Sequence, residues 1–239
     1  MIDSSVESVD FDQEPEVMAR YQGKTFQIGP LSEEHLVCAA SLLFQSYHDD
    51  PLFMEIFDAD KVDYDKRLRT AIRAEIFGFW QAKKDGAIGL FIDNQLLGVA
   101  CVVCPQTSGM SGKGGVSVGR FWHWRLKMLL TAGFFSTRQM MEKEEKLRAA
   151  MPSARHHMLA FLAIHPKHQQ HGLGNHLLKA VDDIVSQDPT SGGIGVYVTL
   201  DKYLHFFNGD NYDKIADVSV GYVHGQLLFR PQVSQDLQG

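Results

Sequence analysis

The sequence predicts an α/β fold in which apolar strands alternate with amphipathic helices. Two apolar runs, Ala87–Ile92 and Leu96–Cys104, flank Asp93-Asn94, which is a β-hairpin pattern. Later, the apolar strand Met158–Ile164 is followed, after a short turn, by a helix. The apolar residues of that helix fall on one face at helical spacing: Leu173, Leu177, Leu178, Val181, Ile184 and Val185.

The N-terminal part of the chain predicts one strand and three helices. Thr25–Gly29 alternates as a strand, and Ser32 is a suitable N-cap for a helix that runs to about Tyr47. Asp50 precedes a proline and a short predicted helix, Pro51–Phe57. A third helix over residues 62–82 has a periodic apolar face made of Leu68, Ile72, Ile76 and Phe79.

The remaining elements follow from the same signals. Five glycines and three serines predict a flexible loop at residues 106–119, and residues 121–150 read as helical with a break at Gly133 and Ser136. A loop is predicted at Ser191-Gly192-Gly193. The last predicted elements are the strand Gly195–Leu200, the short helix Lys202–Gly209, and the strands Lys214–Val220 and Gln226–Phe229.

Composition favours one globular domain with a substantial core, or two small ones, because the 239 residues are 44% hydrophobic and 22% charged. Residues 1–20 form an acidic tail that we expect to be disordered, and the predicted domain spans residues 24–231. Beyond that tail the acidic and basic residues balance, so the chain offers no large electrostatic footprint for nucleic acid.

The sequence also indicates where the protein works. There is no run of 18 apolar residues and no basic segment followed by an apolar stretch at the N-terminus, so we expect neither a membrane span nor a secretory signal. Three cysteines in this length suit a reducing compartment. We therefore expect a cytoplasmic protein without a membrane partner.

The most informative motif is Gln169-x-x-Gly172-x-Gly174, placed between the apolar strand and its helix. The first N–H groups of a helix are unpaired, and the helix dipole favours an anion there. Glycine lets a phosphate approach the backbone closely. The dinucleotide pattern G-x-G-x-x-G and the P-loop pattern do not occur in the chain. The motif therefore indicates a phosphorylated cofactor of another kind.

In this position, Ile164-x-Pro166 followed by the glycine motif resembles the acyl-CoA pyrophosphate loop of GCN5-related N-acetyltransferases (GNAT). The resemblance covers about residues 24–231. One branch is most similar, since it has counterparts of Asp50-Pro51-Leu52-Phe53, of a helical insert at residues 120–150 and of His156-His157-Met158-Leu159. The resemblance implies the GNAT fold: an α+β arrangement with a mixed, mostly antiparallel central sheet flanked by helices, and the insert before the cofactor-binding strand.

The resemblance also implies acetyl-CoA, or another acyl-CoA, as co-substrate. Backbone N–H groups of the loop would hold its pyrophosphate: Gln169, Gln170, His171, Gly172, Leu173, Gly174 and Asn175. The strand residues Leu162, Ala163 and Ile164 would run beside the pantetheine arm, where the strand splays from the next one. An N–H near Ile164 would polarise the thioester carbonyl.

Three positions depart from the family pattern. The mildest is Asn211, where the family has Gly, because Asn tolerates left-handed backbone. Leu200 stands where the family often has Asn, and Phe207 stands where a Tyr often protonates the departing thiolate, although it remains a cofactor-binding position. A thiol pKa is ordinarily near 8.5, so a thiolate leaves tolerably without an acid. The base that deprotonates the amine is predicted to be His156; its neighbour His157 should point to the opposite face.

The sequence therefore predicts an acyl-CoA-dependent N-acyltransferase, in which an amine attacks the thioester directly in a ternary complex. The alternative is a module that binds acyl-CoA without efficient catalysis, as Phe207 suggests. The acceptor is a small-molecule amine or a peptide amine. No metal is expected, because His165, His168 and His171 flank a proline-containing turn and lack a fixed ligand geometry.

Overall fold

The computed structural model describes residues 19–21, 23–81, 86–103, 134–152 and 155–232. Within these ranges the strands are β1 (Ala19–Tyr21), β2 (Lys24–Pro30), β3 (Ala87–Ile92), β4 (Gln95–Val103), β5 (His157–Ile164), β6 (Gly193–Val198), β7 (Asp213–Val220) and β8 (Val223–Pro231). The helices are α1 (Leu36–Tyr47), α2 (Pro51–Phe57), α3 (Tyr64–Gln81), α4 (Phe134–Ala150), α5 (Leu173–Ser186) and α6 (Leu204–Asn208).

The strands form one sheet in the order β1-β2-β3-β4-β5-β6-β8-β7. Every neighbouring pair is antiparallel except β5 and β6, which are parallel. Helices α1 to α4 pack on one face of the sheet and α5 packs on the other, and each face has its own apolar cluster. This confirms the predicted mixed, mostly antiparallel sheet flanked by helices.

Local chemistry explains the elements that the sequence predicted well. Asp93 and Asn94 both have positive φ angles, 49° and 61°, which suits the two-residue turn of the β3–β4 hairpin. Asp50 accepts a hydrogen bond from the Leu52 N–H at 2.9 Å and so caps α2, whose first residue is Pro51. Both turns fix the ends of elements that border the candidate site.

Two predicted boundaries are wrong. The helix break at Ser136 does not occur, because Ser136 lies inside α4; one serine disfavours a helix by only about 0.5 kcal/mol relative to alanine. Strand β6 begins at Gly193, which was assigned to a loop, and ends at Val198. A Cβ at Gly193 would lie 2.3 Å from the Arg230 carbonyl oxygen, so the glycine permits close strand pairing there. Residues 106–119 and Gly133 lie outside the described residues.

Strand β1 was not predicted. It includes Ala19 and Arg20 from the end of the predicted tail and pairs antiparallel with β2. The buried ring of Tyr21 contacts the rings of His168 and His171 edge-on, with centroids 5.9 and 5.4 Å apart. The last residue of β1 thus packs against the segment between β5 and α5 that contains the glycine motif, which we call the glycine-motif loop.

This contact yields a prediction for two N-terminal deletions. Removing residues 1–18 should leave the melting temperature and the affinity for acetyl-CoA unchanged, because β1 remains. Removing residues 1–21 also takes away Tyr21, and affinity should fall several-fold because the loop loses its aromatic support. Calorimetry on both variants tests this; a large effect of the shorter deletion would show that the acidic segment itself contributes.

No helix in the described part of the chain is both long enough and apolar enough to span a membrane.

Candidate active site

The sheet opens between its two parallel strands. β5 pairs with β6 over only three residues, from His157↔Ile194 to Leu159↔Val196. Beyond them, Ala160–Ile164 of β5 and Tyr197–Val198 of β6 run on without pairing to each other. We call this opening the split. It leaves this edge of β5 without a neighbouring strand, and an edge of this kind can pair with an extended ligand.

A β-bulge at Ala160 gives β5 its shape. Its pairing with β4 skips one residue there, since Cys101 faces Phe161 and Val102 faces Leu159. A bulge exchanges the two faces of a strand. Leu159 therefore packs in the α5-side cluster, whereas Phe161 packs in the cluster under α1 and α3.

The hydrogen bonds of β5 identify the groups that face the split. The N–H of His165 donates to the Leu97 carbonyl of β4 at 2.7 Å, so the alternate residues Leu162 and Ile164 face away from β4. The carbonyl of Ile164 accepts a hydrogen bond from Gln169 Nε2 at 2.9 Å. Both groups of Leu162 meet the Tyr47 hydroxyl, which accepts from the N–H at 3.0 Å and donates to the carbonyl at 3.2 Å.

The glycine-motif loop continues directly from β5 into α5. Gln170 and Gly172 have positive φ angles of 62° and 79°, and Gly172 is the N-cap of α5. Positive φ at the N-cap favours glycine. The Asn175 N–H donates to the Gly172 carbonyl at 3.1 Å, so the N–H groups left for an anion are those of the first two helical residues. Gly174 lies against the Phe206 ring, where an added Cβ would be 3.1 Å from the nearest ring carbon. The loop has the geometry of an anion site at a helix N-terminus.

One cavity of about 1170 Å³ joins the loop to the split and continues beneath α1, α3 and α4. The predicted cofactor residues that line it are Leu162, Ala163, Ile164, Gln169, Gln170, Gly172, Leu173, Gly174, Asn175 and Phe207. His171 is the exception among the predicted residues: its ring lies against Tyr21, and its Nδ1 is 2.6 Å from the Gln169 carbonyl. The cavity volume exceeds the roughly 300–1,000 Å³ of most small-molecule sites.

The two adjacent histidines at the start of β5 point to opposite sides of the sheet. His156 lines the cavity. His157 is buried on the other side, where its Nδ1 lies 2.8 Å from the Ser191 hydroxyl, and burial lowers its pKa. Of the two, only His156 is placed to meet a ligand in the cavity.

Phe207, at the position where the family often has Tyr, is a buried ring that lines the cavity. It contacts Phe206 and Tyr212 edge-on, with ring centroids 5.0 and 5.3 Å apart. It can contact a cofactor through its ring but has no proton to donate. A proton donor in this part of the cavity would have to be another residue.

Glu75 on α3 is a functional candidate that sequence reasoning missed. It is half-buried, lines the cavity and has no hydrogen-bond partner among the described residues. Burial raises its pKa to about 7; Lys143 opposes this shift and Glu144 adds to it. The signal was in the sequence: Glu75 lies three residues after Ile72 and four before Phe79, on the apolar face of α3.

A second carboxylate at this end of the cavity, Asp50, is already engaged. One oxygen caps α2, and the other accepts a hydrogen bond from the Thr199 hydroxyl at 2.8 Å, which ties α2 to the residue after β6. Burial raises the Asp50 pKa, and these hydrogen bonds oppose the rise. Asp50 therefore holds the wall of the cavity, whereas Glu75 faces its interior.

The described residues contain no cluster of three or more His, Cys, Asp or Glu side chains that could hold a metal ion. His165 and His168 are ring neighbours at 5.6 Å, and His165 Nδ1 accepts from the Lys167 N–H. These contacts fold the turn after β5.

The sequence matches no protein-family model and no curated protein. The structure is similar to solved acetyltransferases. One is described as histone acetyltransferase HPA2 and related acetyltransferase from Corynebacterium glutamicum (12% identity, 88% of this chain and 98% of that chain, TM-score 0.59). Another is a GNAT-family acetyltransferase from Streptococcus agalactiae (13% identity, 89% of this chain and 99% of that chain, TM-score 0.52).

A third similar structure is the C-terminal condensation domain of Ebony in complex with beta-alanyl-dopamine. It is 10% identical and matches 87% of this chain and 100% of that chain, with a TM-score of 0.58. At such low identities the likeness concerns the course of the backbone. The chain therefore has the fold of the GCN5-related N-acetyltransferases.

Proposed function

We propose that this protein is an acyl-CoA-dependent N-acyltransferase that acetylates an amine. One observation carries the proposal: a single cavity connects the N-terminus of α5, the open edge of β5 and the Glu75 carboxylate. These are the three parts that the reaction needs, namely an anion site, a backbone edge for an amide-containing arm, and a base. Acetyl-CoA supplies the matching pyrophosphate, pantetheine amides and thioester.

Direct attack of the amine is favoured over an acyl-enzyme. Of the two cysteines in the described residues, Cys101 is the one that borders the split, through its pairing with Phe161, and it is fully buried in β4. Burial raises its thiol pKa, and the Glu75 carboxylate raises it further, so the thiol stays protonated. A protonated, enclosed thiol is a poor nucleophile. Both substrates would therefore bind together, with the amine beside the thioester.

A small amine with an aromatic or apolar body suits the acceptor end. Its lining combines the acidic Glu75 and Glu144 and the basic Lys143 with the rings of Phe53, Phe79 and Tyr197. Carboxylates attract the ammonium form, and aromatic rings contact an apolar body. The similar Ebony domain was solved in complex with beta-alanyl-dopamine. A peptide amine remains the alternative acceptor.

The base is assigned to Glu75, with His156 as the second candidate. Cys101 pairs with Phe161, so Glu75 beside Cys101 is level with the middle of the split. His156 is six residues from Leu162, which is about 20 Å along an extended strand. A base must come within hydrogen-bond reach of the amine, directly or through water. Glu75 meets that condition better for an amine that attacks near Leu162.

The proposed function predicts measurable acetyl transfer. With acetyl-CoA, the protein should acetylate 2-phenylethylamine or tyramine faster than a lysine-containing peptide, as measured by mass spectrometry of the products. Isothermal calorimetry with acetyl-CoA alone separates the rival function. Tight binding without acetylation of any amine in a broad panel would favour the acyl-CoA-binding module, and an absence of binding would contradict both functions.

A further inference from the structure

The hydroxyl of Tyr47 occupies the split. Tyr47 is the last residue of α1, and its hydroxyl makes two hydrogen bonds to Leu162, which lies 115 residues later in the chain. It accepts from the Leu162 N–H at 3.0 Å and donates to the Leu162 carbonyl at 3.2 Å. One side chain thus satisfies both backbone groups that β5 presents to the split at this residue.

The position of the Tyr47 ring is fixed by packing. Phe53 and Phe161 contact it edge-on, with centroid distances of 5.5 and 5.3 Å. The ring therefore stays at the edge of β5 whether or not the hydroxyl keeps its present partners. Rotation of the O–H group about the phenol C–O bond is enough to move its hydrogen from the Leu162 carbonyl to a ligand atom in the split.

The hydroxyl oxygen lies 3.0 Å from the Leu162 nitrogen. A thioester carbonyl oxygen that enters the split beside this hydroxyl can share the Leu162 N–H and accept the hydrogen of the phenol, whose ring stays in place. Burial raises the pKa of the Tyr47 phenol above its ordinary value, opposed by its hydrogen bond to Leu162, so the group stays protonated at neutral pH. A protonated phenol can donate to developing negative charge, and this interaction strengthens when a bound substrate excludes water.

We propose that Tyr47 is a catalytic hydrogen-bond donor to the thioester carbonyl and acts together with the Leu162 N–H. The inference rests on the proposed acyltransferase function. The hydrogen-bond donor is then a side chain of α1 that lies at the split. The usual tyrosine position is held by Phe207, which cannot donate. No residue of α6 is needed for this role.

The proposed reaction transfers the acetyl group from the sulfur of CoA to the nitrogen of the amine. The neutral amine nitrogen attacks the carbonyl carbon, a C–N bond forms, and the π pair moves to oxygen, where Tyr47 and the Leu162 N–H both donate to it. The pair then returns to re-form the carbonyl, the C–S bond breaks, and its electrons leave on sulfur as the CoA thiolate. The proton released from nitrogen passes to the Glu75 carboxylate. Tyr47 keeps its own proton throughout.

The test compares Tyr47→Phe with a matched control, Tyr64→Phe. Tyr64 is also buried, and its hydroxyl donates to the backbone carbonyl of His48, at the same end of α1 but outside the cavity. With acetyl-CoA and 2-phenylethylamine, Tyr47→Phe should lower kcat about 100-fold, as loss of one oxyanion donor does. Tyr64→Phe should retain wild-type kcat at temperatures where both variants are folded.

A second readout follows the bound thioester without turnover. In a complex with acetyl-CoA labelled with ¹³C at the carbonyl, hydrogen bonding from Tyr47 should lower the carbonyl stretching frequency. Tyr47→Phe should raise that frequency towards its value in solution, and Tyr64→Phe should leave it unchanged. A merely structural role of Tyr47 would lower kcat and leave the frequency of the bound thioester as in the wild type.

The outcomes are distinct. An unchanged kcat in Tyr47→Phe, or a lower kcat with an unchanged carbonyl frequency, would overturn the inference. Tighter binding of acetyl-CoA with unchanged kcat would also overturn it and would show that Tyr47 only fills the split. If the wild type acetylates nothing, the proposed function fails, while the frequency measurement still reports whether Tyr47 contacts the thioester.

Discussion

Gly172→Glu should lower the affinity for acetyl-CoA at least about 100-fold. Gly172 caps α5 with a φ of 79°, and nothing in the described structure lies within 4 Å of the position that a Cβ would take. That space is the proposed path of the pyrophosphate, so a glutamate there would block it and repel it. Losing two N–H bonds to phosphate weakens binding by roughly 3 kcal/mol, about 100-fold. Isothermal calorimetry measures the dissociation constant directly.

The control for this variant is Gly23→Glu. Gly23 lies in the β1–β2 turn with a nearly identical φ of 77° and equally open surroundings. A non-glycine residue in left-handed backbone costs about 1–2 kcal/mol at either position. Similar melting temperatures with lost affinity only in Gly172→Glu would support the cofactor site. Equal affinity for acetyl-CoA in both variants and the wild type would mean that the pyrophosphate does not bind at α5.

Glu75→Gln should lower turnover by about 100-fold or more, the usual effect of losing a general base. Because burial raises the Glu75 pKa to about 7, the wild-type kcat/KM should rise with pH and reach half its plateau near that value. The base acts only when deprotonated, so the rise belongs to the acidic limb of the profile. Glutamine cannot titrate, and the limb should disappear in the variant.

Glu75→Gln should make the folded protein more stable above neutral pH although it lowers turnover. The folded state binds the Glu75 proton more tightly than the unfolded state, so wild-type stability is lost as pH rises from the ordinary glutamate pKa to about 7. Glu75→Gln avoids this loss. Its melting temperature should exceed that of the wild type at pH 8, and the difference should shrink towards pH 4. Thermal unfolding monitored by circular dichroism across this range checks the sign.

Two further variants complete this experiment. Glu142→Gln removes a carboxylate on α4 that pairs with Lys146 outside the cavity, and it should retain wild-type activity. His156→Ala tests the base predicted from sequence; its affinity for acetyl-CoA should be retained because the glycine-motif loop is unaltered. If the acidic limb disappears in His156→Ala and persists in Glu75→Gln, the base is His156 and our assignment to Glu75 is wrong.

Gly172 could be identified from the sequence, whereas Glu75 and Tyr47 were identified only from the structure. Gly172 was identified from the sequence because its function is local: the strand, the turn and the start of the helix are consecutive in the chain. Spacing therefore defines the anion site. Glu75 and Tyr47 belong to helices that precede β5 by more than 75 residues, and neither lies in a motif. Their proximity to the split depends on how α1 and α3 pack on the sheet.

The sequence by itself determined the local elements of this protein: the β3–β4 hairpin with its Asp93-Asn94 turn, the strand before the motif, and the α5 N-terminus. Each depends on hydrogen bonds and backbone preferences within a few residues. Only the tertiary structure decided where β5 leaves β6, why the faces of β5 exchange at Ala160, and which side chains enter the opening. Those features arise from sheet register and helix packing, which join residues far apart in the chain.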